Sequence, residues 1–261
     1  MKDELGGLGA RTEGTTAPGH VSPTDRKKRR AVWIAAAGLA LVCVFFVVSL
    51  CVGPTRVLSV SEMLSALASA IAKGGLDLTY DELIVYSSRL PRTLAALGVG
   101  IGLSVAGAIY QAIIRNPLVD PYIMGVSAGA GTAAVAVIAF DFTFFGLFGS
   151  QSLYTAAIAA MIGGLAAFFC TMLLAEKARG TSINYVLAGV IVGLVFSAIQ
   201  SLMMVSAGNS VGAALTWLYG SFTAITWSKV WMILVPAVSV SMAVMVWAKE
   251  FNLILLGQDQ A

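Results

Sequence analysis

Residues 156–175 read AAIAAMIGGLAAFFCTMLLA and carry no charged side chain. A helix needs about 20 predominantly apolar residues to cross the hydrocarbon core of a bilayer, and this run has that length. Residues 31–52, AVWIAAAGLALVCVFFVVSLCV, form a second run of the same kind. The whole 261-residue chain agrees with them, at 58% hydrophobic and 11% charged residues and a mean hydropathy of +0.88. A soluble domain carries roughly a quarter charged residues, so a water-facing surface of this size is excluded. A spanning segment must satisfy its own backbone polar groups, and the expected fold class is therefore all-α, a polytopic transmembrane helix bundle.

Outward from these two runs the chain divides into three parts. Residues 1–30 are polar and lack apolar periodicity, which reads as a disordered tail, and they end in Arg26-Lys27-Lys28-Arg29-Arg30. The following run to Val52 is longer than the apolar region of a signal peptide, and no small-x-small cleavage site follows it. Residues 31–250 carry six expected spans: Ala31–Val52, Leu90–Ile114, Tyr122–Phe140, Leu153–Ala175, Asn184–Ala207 and Lys229–Trp247, with a short helix over Val211–Tyr219. Residues 53–88, with a weakly amphipathic stretch from Val57 to Ala72 and the acids Asp77, Asp81 and Glu82, read as too polar to span. Residues 251–261 follow the last expected span. Basic residues set the orientation: the tail, Arg115, Lys177, Arg179 and Lys249 fall on the cytoplasmic side. Arg56, Lys73, Arg89, Arg92 and Lys229 fall outside, partly offset by the acids just named.

Several classes of chemistry are excluded next. Cys43, Cys51 and Cys170 lie in apolar stretches with no metal-site or CxxC spacing, so neither a metal site nor a disulfide framework is indicated. The single histidine, His20, lies in the tail. Gly125-Val126-Ser127-Ala128-Gly129 matches the GxSxG nucleophile elbow, yet it opens a membrane helix and has no triad histidine. Gly129 to Ala134 matches a dinucleotide fingerprint without the strand that must precede it. No Walker lysine motif is present, so any ATP use falls to another chain. No cofactor and no nucleic-acid partner is indicated. Asp120, Asp141 and Glu176 sit at span ends, against a pump built on mid-membrane carboxylates. The GxxxG pairs Gly98/Gly102, Gly125/Gly129 and Gly189/Gly193 indicate closely packed helices.

The most specific passage is Arg89-Leu90-Pro91-Arg92-Thr93-Leu94, then Gly102 to Gln111, then Arg115-Asn116-Pro117-Leu118-Val119-Asp120-Pro121-Tyr122 and Gly125 to Ala130. It resembles the FecCD-type permeases, the membrane subunits of ATP-driven importers for iron-siderophore, haem and cobalamin. The likeness continues through Leu187-Ala188-Gly189, Trp217 to Phe222 and Asn252 to Gly257. The resemblance implies docking of an extracytoplasmic substrate-binding protein at Arg89 and Arg92, and closure of the inner end of a pathway at Asn116, Leu118, Thr181 and Ser182. It implies a pathway lined by the fifth span and the short helix after it, with Gln200, Met203, Met204 and Asn209 as candidates. Part of an ATPase-docking loop would fall at Leu256, Gly257, Asp259 and Gln260. The implied partners are a second permease subunit (the same or a different chain), an ATP-binding subunit and membrane lipid, in the plasma membrane. The family has roughly ten spans of about 20 residues each, so this chain reads as truncated at its C-terminus. A ferric siderophore is the expected cargo, with haem or cobalamin as alternatives. A polytopic membrane enzyme would need convergent polar groups inside the bundle, and a channel would need a selectivity ring; neither is visible.

Overall fold

The computed structural model describes residues 23–117, 119–140 and 153–251. Among them all regular structure is helical, and contacts divide the chain into two units at Val57. The first unit contains α1, Pro23–Cys51. Proline suits a first helical turn, where its missing N–H would have no partner anyway. The helix thus starts before Ala31, and the basic cluster Arg26–Arg30 lies exposed on its early turns rather than in an irregular tail.

The second unit opens with α2, Val60–Ala72, capped by Ser59. The Ser59 hydroxyl accepts from the Glu62 N–H at 3.3 Å while the Glu62 carboxylate accepts from the Ser59 N–H at 2.8 Å. Each group satisfies one donor that the helix start leaves unpaired. Helix α2 buries Met63, Ala66 and Ala70, one face at helical spacing. A turn with Gly74 and Gly75 at positive φ then leads to α3, Tyr80–Leu83. There Lys73 Nζ pairs with the Glu82 carboxylate at 2.7 Å, and the same carboxylate accepts from the Thr79 N–H at 2.8 Å.

The span expected from Leu90 is part of a longer helix that runs through Pro91. Helix α3, a π-helical stretch Ile84–Arg89 and α4, Leu90–Ile114, form one continuous run. A proline ring clashes with the carbonyl four residues back. The π stretch, whose last bond runs from Leu90 N–H to the Val85 carbonyl, widens the turn ahead of Pro91 and lets the helix continue. The polar segment before Leu90 is therefore helical from Tyr80 onward.

The remaining helices are α5, Val126–Phe140; α6, Leu153–Lys177; α7, Ser182–Ser206; α8, Val211–Tyr219; and α9, Trp227–Val246. Five helices among the described residues are long and apolar enough to cross a membrane, where six were expected. The difference is the segment from Tyr122. Its first residues form a turn in which the Asp120 carboxylate accepts from the N–H groups of Tyr122 and Ile123 at 2.8 and 2.9 Å, and Gly125 takes φ +74°. The described part of helix α5 has 15 residues, from Val126 to Phe140.

Helix α5 packs against α6, α7 and α8, while α4 packs along α9. Glycine decides how close these approaches are. A Cβ on Gly129 would lie 2.5 Å from the Gly163 carbonyl oxygen and 2.5 Å from Ala167 Cβ, so α5 and α6 cross backbone to backbone. At the same crossing Thr171 donates to the Met124 carbonyl at 3.0 Å. On the other side of α5, Thr132 donates to the Phe196 carbonyl of α7 at 2.9 Å. Gly98 holds α9 against α4, where a Cβ would meet Leu234 Cα at 3.3 Å.

Gly129→Val puts carbon into backbone that cannot yield. Overpacking of this kind costs about 1–3 kcal/mol or more, and the expected result is a lower thermal unfolding midpoint in detergent. Gly100→Ala, with nothing within 4 Å of the new Cβ, is expected to leave that midpoint unchanged.

Candidate functional site

Helices α5 and α7 run parallel, and between them lies an open groove of about 500 Å³. Its walls are Gly125 and Ser127 from the start of α5, Gly189, Ser197 and Gln200 from α7, and Leu218 from α8. The α7 positions fall on one face at helical spacing. From Gly189 to Gln200 that face rises about 17 Å at 1.5 Å per residue, so the groove is elongated along the helix axis.

The groove depends on glycine at two positions. Gly125 has φ +74°, and a Cβ there would sit 3.1 Å from both the Gly189 carbonyl oxygen and the Gly193 nitrogen. A Cβ on Gly189 would run into the Ile123 carbonyl oxygen. The glycines bring the two helices together at one end, and the side chains of Ser197 and Gln200 give polar groups farther along. Half-buried Gln200 reaches across to α5, where its Oε1 lies 2.5 Å from the place a Cβ on Gly131 would take.

Of the four expected pathway residues, Gln200 lines the groove. Met203 and Met204 are half-buried one turn further on, and Asn209 is exposed in the 3₁₀ turn Gly208–Ser210; none of the three borders the groove. Periodicity alone could not separate these faces, because nearly every face of α7 is apolar. Ser127 and Ser197 were not singled out for this role. Ser197 lies three residues before Gln200, which is the available signal for a shared face.

At the Ile114 end the loops expected to act together do meet. The Ser182 hydroxyl, at the first turn of α7, donates to the Ile114 carbonyl near the end of α4. Arg115 follows in the left-handed region at φ +54°, and half-buried Asn116 comes next, its carbonyl accepting from the Val119 N–H at 3.3 Å. Exposed Thr181 precedes α7, and its carbonyl accepts from the N–H groups of Asn184 and Tyr185 at 2.9 and 3.2 Å. Tyr185 packs on the buried cluster Ile114, Val119 and Met124 and donates its hydroxyl to Glu176 at 2.9 Å. Asp120, read from the sequence only as a span-end acid, and Tyr185, which sequence reading passed over, therefore help fix this end. Leu118 lies outside the described residues, as do Leu256, Gly257, Asp259 and Gln260.

The opposite end carries the two expected docking arginines, and the structure treats them differently. Arg89, on the last turn of the π stretch, is 7% exposed, and its carbonyl accepts from the Thr93 hydroxyl at 2.9 Å. Arg92 is half-buried, and its guanidinium donates to the Thr223 carbonyl at 3.0 Å in the turn before α9. Lys229 donates to the Ala224 carbonyl at 2.6 Å in the same turn, and Tyr86 meets Trp227 with ring centroids 5.1 Å apart. No group of histidine, cysteine or acidic side chains able to hold a metal ion occurs among the described residues.

The arrangement defines a class: a multi-pass membrane helix bundle with a mostly apolar groove between parallel helices that carries a few polar side chains, and no assembled catalytic or metal centre among the described residues. The profile of the FecCD transport family matches residues 41–261, and the chain belongs to that family. It is 30% identical to the cobalamin import system permease protein of Halobacterium salinarum, over 91% of this chain and 71% of that one. It is 29% identical to the iron(3+)-hydroxamate import system permease protein of Bacillus subtilis, over 90% of this chain and 68% of the relative. A solved structure described as an inward-facing conformation of a metal-chelate type ABC transporter matches with a TM-score of 0.64 at 27% identity, covering 86% of this chain and 65% of that one. The chain thus spans about two thirds of the length of these proteins, whose names are those of transport components rather than enzymes.

Removing the Ser182 hydroxyl tests the link at the Ile114 end. Ser182→Ala leaves a carbonyl without its donor, and a bond of this kind contributes about 1 kcal/mol. Hydrogen–deuterium exchange in peptides covering 112–121 is expected to speed up, with exchange at the α5–α6 crossing unchanged.

Proposed function

We propose that this chain forms one half of the membrane pathway of an ATP-driven importer of metal chelates, working with a second permease subunit, a separate ATPase and an extracytoplasmic binding protein. The observation that carries the reading is the α5–α7 groove, in a chain of this family, running towards the loop that Asp120 and Ser182 help to fix. With Arg115, Lys177 and Arg179 on the cytoplasmic side, that loop faces inward, and Asn116, Thr181 and Ser182 take the place of an inner gate. Arg92 and the turn at Thr223 then face outward, where an acidic patch of a binding protein would meet them. A ferric siderophore remains the leading cargo. Support for it comes from the iron(3+)-hydroxamate relative, while the cobalamin relative supports the alternative.

Two experiments test the reading. Co-expressed with its ATPase, the chain is expected to bring that ATPase into the membrane fraction; failure to do so would overturn the permease assignment. Arg92→Glu is expected to weaken binding-protein association about tenfold, with a larger effect at low salt, because steering between exposed charges is screened by ions. Arg89→Ala is expected to act differently. Truncating a side chain this deeply buried leaves a cavity, so the yield of folded protein should fall before docking can be measured.

A further inference from the structure

Helix α2 carries two apolar faces, and the chain covers only one of them. Met63, Ala66 and Ala70 are buried, and the helix packs on α3 and the π stretch Ile84–Arg89. About 100° further round the axis, Val60, Leu64 and Ile71 recur at helical spacing. These three are 52, 56 and 60% exposed, and half-buried Leu67 lies on the same stripe. The remaining arc is polar, with Ser61, Glu62 and Ser65 exposed on it. A single exposed apolar side chain is ordinary, but a row of them on one face marks a surface that something covers.

The level of the stripe in the membrane follows from its neighbours. The turn after α2 rests on Tyr86, whose ring a Cβ on Gly75 would approach to 3.1 Å, and Lys73 at the end of α2 pairs with Glu82 at 2.7 Å. Tyr86 in turn meets Trp227, the first residue of the span α9. From Tyr86 to Ile114 the continuous helix rises about 42 Å at 1.5 Å per residue. A bilayer with its headgroups is about 40–45 Å thick. The Tyr86–Trp227 pair therefore stands at the headgroup level of the Arg92 end, where amphipathic rings are favoured. Charge speaks against a second copy as the cover. From Leu58 to Leu83 the single base Lys73 stands against Glu62, Asp77, Asp81 and Glu82, so two such segments would bring like charge onto like.

We propose that α2 is an interfacial helix, its Val60–Leu64–Ile71 stripe seated in the headgroup–acyl boundary of the leaflet at the Arg92 end. Such helices sink their apolar face about 5–10 Å below the headgroups. With acid in excess on the segment, apolar contact rather than attraction to anionic lipid holds it there. Through Gly75 on Tyr86 and Lys73 on Glu82, the seated helix fixes the height at which α4 leaves the membrane. The inference goes beyond the importer reading and does not depend on it.

The test uses the full chain in phosphatidylcholine vesicles, with Cys43, Cys51 and Cys170 replaced by alanine and Leu64→Cys or Ser65→Cys introduced. Each thiol carries an environment-sensitive fluorophore, and the vesicles are made with or without lipid brominated on the acyl chains near the headgroup. The probe at position 64 is expected to lose most of its emission to the bromine, while the probe at position 65, on the polar arc, keeps it. The loss should persist at about 1 M salt, where the screening length is only about 3 Å. Adding Val60→Ser and Ile71→Ser, both on the exposed stripe, should restore most of the emission at position 64. Equal quenching at the two positions, quenching abolished by salt, or quenching indifferent to the two serines would each overturn the proposal. Rapid disulfide cross-linking of unlabelled chains through position 64 would name a second copy as the cover and overturn it too. Recruitment of the ATPase by the same vesicles reports on the importer assignment separately.

Discussion

The close approach of α5 to its neighbours is the constraint on which the rest depends. Lipid tails are as apolar as leucine, so two helices in a bilayer gain nothing from burying apolar surface against each other; they gain from contact, hydrogen bonds and fit. Helix α5 is fixed sideways, by Gly129 against Gly163 of α6 and by Gly125 against Gly189 of α7. Thr171 and Thr132 add one hydrogen bond to each crossing. Because glycine sits at the α7 crossing, backbone rather than side chain forms that part of the groove.

Within the second unit the helices fall into two packed groups. Helices α5, α6, α7 and α8 form one, and α4 with α9 forms the other. The groups meet where Ser182 bonds to the Ile114 carbonyl and where Tyr110 and Phe168 stack edge to face at 6.3 Å. At the far end α4 is tied to α9 instead, through Arg92 and Thr223. One end of α4 is therefore anchored across the two groups and the other within its own group. A small change in the angle between the groups would be felt at the Ile114 end.

Much of this was legible in the sequence, and what was not has physical reasons. Apolar length identified the long helices, because a bilayer imposes a length that soluble folds do not. Val211–Tyr219 was located residue for residue, since Gly208 and Gly220 punctuate it. The start of α5 was placed early because composition does not reveal that Asp120 folds back onto the Tyr122 and Ile123 N–H groups. The exposure of Arg89 was misjudged because an arginine near a span end reads as interfacial whichever way its helix is turned. The groove face of α7 was hidden for a related reason. With apolar residues around nearly the whole helix, only a neighbour can say which side matters, and glycines on a different helix supply that neighbour.

The π stretch Ile84–Arg89 has a consequence for phase. One extra residue in a turn shifts every position on one side of it by about 100° around the axis relative to an uninterrupted α-helix. That shift sets the angular position of Tyr86 and Arg89 relative to the face of α4 that packs on α9 through Gly98 and Gly102. Tyr86 meets Trp227 and Arg89 turns inward in that setting. The stretch works as a fixed angular offset in a continuous rod. Two ends of one helix can thereby face partners that a regular helix of the same length could not serve together.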